Sequence, residues 1–404
     1  MTAVGSGHAF ALTLNMLSMA KKIRVGITHG DINGISYEII LKALGNEEIT
    51  ELLTPVIFGS EKALQYYRKR FGMEDFRCRS ISTAAEAADG HVNLIDVCGP
   101  DIHIDTGTAT REAGQPAFAA LEAAVKALQE GQIDVLVTAP INKNTIHSDD
   151  FNFPGHTEYL QERLGHDGQR SLMILFNDAV RVALVTTHVP VAEIAQHITA
   201  RSVSDTVKAL DASLRRDFRC ERPRIAVLAL NPHCGDNGVT GSEDETIIRP
   251  TLESLRKEGI LAFGPYAADG FFGSGNYARF DGVVAMYHDQ GLGPFKTLAA
   301  TDGVNYTAGL DYVRTSPDHG TGYDIAGRGE ADETSMRQAI YRAIDIFRAR
   351  RDFDFARRNP LRPLPERDAK KEEKKEEKPR FKENDKKAGK EPAVPEAEKD
   401  IDKE

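Results

Sequence analysis

Between Lys22 and Arg350, short unbroken runs of Val, Ile and Leu alternate with longer stretches whose apolar residues recur every three or four positions. The runs are "KIRVGITHG", "TPVIFGS", "VNLIDV", "IDVLVTAPI", "SLMILFN", "RVALVTTH", "RIAVLALNPH" and "GVVAMYH". A strand that is apolar at successive positions is buried on both faces, so it needs helices above and below it. The intervening stretches supply them: "SYEIILKALG", "EKALQYYRKRF", "AFAALEAAVKALQEG", "SVSDTVKALDASLRRDF", "EDETIIRPTLESLRKEG" and "SMRQAIYRAIDIFRAR" carry the helical period. The chain therefore reads as an α/β protein with a largely parallel sheet. Strands alternating with helices would also suit a (β/α)8 barrel, but "RSLMILFNDAVRVALVTTH" is two runs joined by a tight turn at Asn177-Asp178. A hairpin inside the series favours an open mixed sheet instead. Two lobes with an intervening cleft are expected.

The catalytic unit is expected over residues 21–351. Residues 1–20 read as a disordered leader or an over-extended start, because Met19 opens "MAKKIRVGI" just ahead of the first strand. No basic residue precedes the short apolar centre of this leader, as one would in a secretory signal. Residues 352–404 are expected to form a charged, disordered tail. From Glu366 on, Lys and Glu alternate in blocks with few large apolar residues, too few to offset chain entropy. The tail should be dispensable for chemistry. A formal net charge of −10 argues against a nucleic-acid partner, since a phosphate backbone selects a basic surface. No run reaches the roughly 18 apolar residues of a membrane span. Cys78, Cys98, Cys220 and Cys234 lie far apart with no C-x-x-C pair, the usage of reduced thiols in a cytoplasmic protein.

Three of the apolar runs end in the same residue type, at His188, His233 and His288. In open α/β sheets, ligands bind beyond the carboxyl ends of strands. Neighbouring strands would bring the three imidazoles to one rim, where they suit Zn²⁺, Co²⁺ or a similar divalent ion with a position left open for substrate. Three unrelated loop histidines are the competing reading. Asp289 directly follows His288 and could orient it, or simply occupy a turn. A second polar set lies on "TAPINKNTIHSDDFNFPGHTEYL": Asn142, Lys143, His156, Thr157 and Glu158. Its Gly-His-Thr-Glu reads as a helix start with Thr157 as N-cap, an anion-binding geometry. Lys296, Asn305 and Arg314 follow the last histidine strand, and the two cations suggest an acidic, phosphorylated substrate. Neither G-x-G-x-x-G nor G-x-x-x-x-G-K-[ST] occurs.

"GITHGDINGISYEII", "TAPINK", "PGHTEYL", "ALVTTHVP", "LALNPHCGDNG", "MYHDQGLGPFK" and "GVNYTAGLDYVRTSPDHGTGYDIAGRG" together resemble the 4-hydroxythreonine-4-phosphate dehydrogenase (PdxA) family of vitamin B6 biosynthesis. The resemblance covers Lys22 to Arg350. It implies a fold similar to isocitrate and isopropylmalate dehydrogenases, NAD as cofactor bound without the usual fingerprint, and an active site at a homodimer interface. By motif, it implies His188, His233 and His288 as ligands of a divalent ion (Zn, Co or Mg), and His156, Thr157, Lys296, Asn305 and Arg314 as substrate contacts. It also implies Asp269, in "YAADGFF", as a residue near the reacting groups. Lys296, Asp269 and His156 are then the candidate bases for oxidation of 4-phosphooxy-threonine and decarboxylation to 3-amino-2-oxopropyl phosphate. The sequence departs from the family's first motif at Ile32, Ser36 and Tyr37, which bears on substrate identity. Two rivals remain open: a related dehydrogenase of another phosphorylated hydroxy acid, such as threonate or erythronate phosphate, and a non-redox enzyme using the same metal.

Overall fold

The computed structural model describes residues 22–147, 151–153 and 155–360. The expected leader and most of the expected tail lie outside the described residues. In chain order the first elements are β1 (Ile23–Thr28), α1 (Ser36–Leu44), β2 (Leu53–Gly59), α2 (Glu61–Arg70), β3 (Cys78–Ser80) and β4 (Val92–Asp96). Then come α3 (Arg111–Gln129), β5 (Val135–Thr138), α4 (His156–Leu164), β6 (Leu172–Phe176), β7 (Arg181–Leu184), α5 (Ala200–Arg216) and β8 (Arg224–Leu228). The last are α6 (Arg249–Lys257), β9 (Leu261–Tyr266), β10 (Gly282–Ala285), α7 (His288–Ala299), β11 (Val304–Ala308), β12 (Arg314–Pro317) and α8 (Thr334–Arg357). Single helical turns connect several of them.

The strands form one twelve-stranded sheet in the order β3-β4-β2-β1-β5-β12-β11-β6-β7-β10-β8-β9. This is the α/β architecture with a large mixed, mostly parallel sheet. The antiparallel steps are β12 to β11, β11 to β6, and β6 to β7, all adjacent at the middle; every other pairing is parallel. Asn177 and Asp178 do form the turn between β6 and β7, with Asn177 Oδ1 accepting from the N–H groups of Ala179 and Val180. The reversals leave β7, β10 and β8 running opposite to β1 and β5.

Burial explains why these runs are strands. Val25, Ile27, Val135, Val137, Ile225, Val227, Val283 and Val284 are fully buried, and each such side chain contributes roughly 1.5–3 kcal/mol relative to exposure. One apolar cluster packs α3 onto the β5 side of the sheet, through Val56, Leu121 and Leu136. Another packs α7 onto the β7 and β10 side, through Val182, Val283 and Phe295. The largest cluster runs through both halves, from Val25 and Ile27 to Ile174 and Val284. A single sheet thus serves both halves, and the compact unit extends to Arg357, beyond the expected limit at 351.

Candidate active site

Where the sheet reverses, side chains of the central strands line a cavity of about 390 Å³. Alternation along a strand puts every second residue on the same face. Asn305 lies opposite Ser316 on β12 and Leu175 on β6, and Thr307 lies opposite Arg314 and Met173. Asn305, Arg314, Ser316, Met173 and Leu175, with Thr138 of β5, line the cavity. Its walls come from the loop after β5 (Ala139 to Lys143), the start of α4, His188, α7 (His288, Leu292, Lys296) and the loop after β12 (Pro317 to Gly320). Residues beyond the carboxyl ends of β5, β7, β10 and β12 form its walls, and the face of the central strands adds a floor that the sequence reading did not include.

Arg314 is 2% exposed, yet among the described residues its guanidinium bonds only hydroxyls. Nε and an Nη donate to Thr138 Oγ1 at 3.1 and 2.6 Å, and the other Nη donates to Thr307 Oγ1 at 3.1 Å. Burial pulls its pKa down to about 9, against the opposing pull of Glu158, so it remains a cation at neutral pH. A buried cation that is hydrogen-bonded only to hydroxyls is costly, and an anionic ligand is a partner that offsets the cost.

At the start of α4, Gly155 takes the cap position and no side chain caps the helix. Thr157 is therefore in the first turn, not the N-cap expected from the sequence, and both His156 and Thr157 face the cavity. Among the described residues, His156 Nε2 is buried without a hydrogen-bond partner. Burial, reinforced by Arg314 and Lys143, holds this imidazole well below its ordinary pKa of 6.5 and so neutral.

His188 and His288 face one another with ring centroids 6.2 Å apart. Backbone bonds bring their chains together: Val185 N–H donates to Ala285 O at 2.9 Å, and Thr186 Oγ1 donates to Met286 O at 2.7 Å. His288 is the first residue of α7, not the last of a strand. Its Nδ1 lies 2.7 Å from Asp289 Oδ1, which directs Nε2 away from that carboxylate. His188 Nδ1 lies 3.8 Å from Glu158 Oε1, and its Nε2 lies 3.4 Å from Lys143 Nζ. The contact with His188, more than any other, draws the Glu158 carboxyl below its usual range.

His233 and Asp269 do not line this cavity. β8 is the next neighbour of β10, as the reading of three adjacent strands required. However, His233, Cys234, Asp236 and Asn237 all have positive φ, and this left-handed turn leaves the His233 imidazole exposed. Asp269 follows β9, the strand at the sheet edge, and is exposed on a short helix. Among the described residues, no three His, Cys, Asp or Glu side chains are gathered to hold a metal ion. One chain thus provides a facing imidazole pair, which suits part of a divalent-ion ligand set.

Lys296 Nζ donates to Asp318 O at 3.1 Å and lies 3.4 Å from Asp318 Oδ2. Burial raises the Asp318 pKa, with Lys296 opposing. Lys296, Asp318, His319 and Gly320 are shared with a second cavity, whose other lining includes Ile35, Ala299 and Ile325. His319 Nδ1 bonds Gly320 O at 3.0 Å, while its Nε2 is buried with no partner among the described residues. Burial keeps this ring's pKa below the ordinary value. Asp318 and His319 were not singled out from the sequence; "SPDHGTG" reads as any polar glycine loop. The one available signal was a histidine and a carboxylate directly after Pro317.

The loop after β1 locks two walls of the cavity together. Asp31 is 1% exposed, and its carboxylate accepts from Tyr323 Oη at 2.6 Å and Asn33 N–H at 2.9 Å. Its own N–H donates to Pro140 O at 2.8 Å. Gly30, at φ 63, is so close to Pro140 that a Cβ would meet the carbonyl at 2.3 Å. The unusual Ile32, Ser36 and Tyr37 are fully buried and none lines the cavity; Tyr37 Oη donates to Ser60 O at 3.1 Å.

A family model described as pyridoxal phosphate biosynthetic protein PdxA matches residues 51–343, which include every residue lining the first cavity. The chain is 53% identical to the 4-hydroxythreonine-4-phosphate dehydrogenase of Bacteroides thetaiotaomicron, over 84% of this chain and 93% of that protein. It is 37% identical to the D-threonate 4-phosphate dehydrogenase of Cupriavidus necator, over 80% of this chain and 96% of that protein. The crystal structure of the 4-hydroxythreonine-4-phosphate dehydrogenase from Klebsiella pneumoniae superposes with a TM-score of 0.71 at 34% identity, covering 81% of this chain and 99% of that one. By the extent of these matches and the motifs they enclose, the chain belongs to the PdxA family.

Proposed function

We propose that the protein is an NAD-dependent dehydrogenase of 4-phosphooxy-L-threonine. The product, 2-amino-3-oxo-4-phosphooxybutanoate, then loses CO₂ to give 3-amino-2-oxopropyl phosphate for pyridoxal 5'-phosphate biosynthesis. The observation that carries the reading is the meeting of His156, Thr157, His188, His288, Lys296, Asn305 and Arg314 around one cavity. Several elements contribute to it, and relatives matched along nearly their whole length are named 4-hydroxythreonine-4-phosphate dehydrogenase.

Oxidising the secondary alcohol requires removal of its O–H proton and transfer of hydride from the same carbon to NAD⁺. Lys296 is the proposed proton acceptor once, as a neutral amine, it has passed its own proton to Asp318 beside it. His156, neutral and weakly basic, serves as a hydrogen-bond partner to the substrate. Asp269, like His233, lies outside the cavity of the single chain and is proposed to reach the reacting groups across a homodimer interface. The adjoining cavity is the proposed seat of NAD. It shares Lys296, Asp318 and His319 with the first, offers an apolar wall, and presents His319 Nε2 as an acceptor.

His188, His233 and His288 are proposed to hold a divalent ion (Zn, Co or Mg), which when bound supplies Lewis acidity toward the alcohol oxygen. Adjacency of β7, β10 and β8 supports the set, and the exposure of His233 supports its completion across a homodimer interface. Val191, 83% exposed, and Val239, 80% exposed, sit on the loops carrying His188 and His233 and are suited to such an interface. Among the described residues no helix is long and apolar enough to cross a membrane, and a cytoplasmic location is part of the proposal.

NADH formation from 4-phosphooxy-L-threonine and from D-threonate 4-phosphate tests the reading. A higher kcat/KM for the amino acid is expected. Preference for the threonate would overturn the substrate, and no NAD⁺ binding at all would favour a non-redox enzyme.

A further inference from the structure

The loop after β12 borders both cavities, and it is anchored differently along its length. At its start, Asp318 N–H donates to Ser335 Oγ at 3.1 Å. Its far end is fixed on α1 and α2. Ala331 N–H donates to Glu38 Oε1 at 2.8 Å, Lys42 Nζ to Ala331 O at 2.7 Å, and Arg70 Nε to Gly327 O at 2.8 Å. Between these ends, His319, Gly320, Gly322 and Ile325 form a wall of the second cavity. The loop after β1 holds this middle stretch through two bonds. Ile35 N–H donates to Thr321 O at 2.9 Å, and Tyr323 Oη donates to Asp31 Oδ2 at 2.6 Å.

Asp31 is a costly residue for its place. Its buried carboxylate has no cationic partner among the described residues. Its donors are Asn33 N–H, Tyr323 Oη and, at 3.5 Å, Thr145 Oγ1. A carboxylate held in the interior by neutral donors alone lowers stability. Neither Asp31 nor Tyr323 lines either cavity, so each acts on a ligand through the residues it holds.

We infer that Asp31 and Tyr323 are positioning residues whose bond presets the middle of the loop after β12 as a wall for the nicotinamide cofactor. A wall already in place spares the incoming dinucleotide the entropy of ordering it. Asp318, with its own anchor on Ser335, keeps its position beside Lys296 when the bond is lost. The loop after β5 does too, since Asp31 holds it by a backbone bond to Pro140 O. Loss of the Tyr323 hydroxyl therefore acts on cofactor affinity and spares the other steps. This inference rests on the reading that the second cavity seats NAD.

The test compares full-length wild type, Tyr323→Phe and Asp31→Asn. Amide hydrogen exchange of the cofactor-free protein reads the loop, and calorimetric titration with NAD⁺ together with steady-state kinetics reads its effect. In Tyr323→Phe, exchange over residues 319–325 should quicken, and NAD⁺ affinity should fall by about tenfold, the scale of one hydrogen bond to a charged group. KM for NAD⁺ should rise in step, while kcat and the KM for the phosphorylated substrate stay within about twofold. Asp31→Asn should retain most of the affinity. Its amide N–H can donate to Tyr323 Oη while its carbonyl still accepts from Asn33 N–H. Unchanged exchange over 319–325 in Tyr323→Phe would overturn the positioning role, as would equal losses in both KM values. Wild type that binds no NAD⁺ would overturn the reading of the second cavity, and the exchange measurement would still decide whether this bond holds the loop.

Discussion

Arg314 shows how much one side chain can say about a ligand. It is buried, among the described residues it bonds only to Thr138 and Thr307, and it faces the cavity. Replacing it with Met removes the proposed bidentate contact to an anion and leaves the two threonine hydroxyls without their donor. A loss in kcat/KM of roughly 100-fold is expected, the scale of a charged hydrogen bond of about 3 kcal/mol. Steady-state kinetics check it, and a loss below about threefold would argue that the anion binds elsewhere. At this scale the sequence was informative wherever a polar residue broke an apolar run, as at His188 and His288. It could not show that His233 sits on a left-handed turn, because a Gly-Asp-Asn-Gly stretch fixes a turn and not its direction. Asp269 was assigned through resemblance alone, and no spacing rule could place a residue of the edge strand's loop.

Elements that build the cavity floor were the least legible. β11 and β12 were not expected as strands, since "VNYTA" and "RTSP" lack an apolar run. They are polar because one face serves the cavity: Asn305, Thr307 and Arg314 are the interruption. α7 was hidden by Gly291, Gly293 and Pro294, which argue against a helix. Gly291 has a packing reason, because a Cβ there would lie 2.8 Å from Leu184 and 2.9 Å from Val182. On the other face of β11, Tyr306 Oη donates to Asp217 at 2.7 Å, and Arg350 of α8 bonds both, at 2.6 and 2.7 Å. Arg350→Met would leave Asp217 buried without its cation, a loss of about 3–5 kcal/mol. Denaturant unfolding measures it, and a change under 1 kcal/mol would contradict the role given to this network. His29 ties β1 to α3 through Pro116 O at 3.0 Å, and burial lowers its pKa to about 4 from 6.5. The unfolded chain then takes up this proton near pH 6.5 and the folded one only near pH 4. Stability should fall over that window as pH drops, by about 3 kcal/mol in total. His29→Gln should flatten that part of the unfolding profile; an unchanged slope would assign the effect to other groups.

For the whole molecule, the alternation of apolar runs and helices was enough to foresee an open mixed sheet, and the hairpin at Asn177 and Asp178 foretold one reversal. The other two reversals, on either side of β11, return β6 to the direction of β5, so the β6–β7 hairpin is the step that sets the two halves running opposite, with the cavity on the sheet face at the reversals. Catalysis by such a cavity depends on bringing an anionic substrate, a hydride acceptor and an imidazole cluster to one place. The most direct measurement is the joint release of NADH and CO₂ from 4-phosphooxy-L-threonine by the full-length protein, compared with His288→Ala. Equal amounts of both products from wild type, with turnover abolished in the folded variant, is the predicted result. Wild-type protein that makes no NADH, or a His288→Ala protein that matches it, would contradict the account.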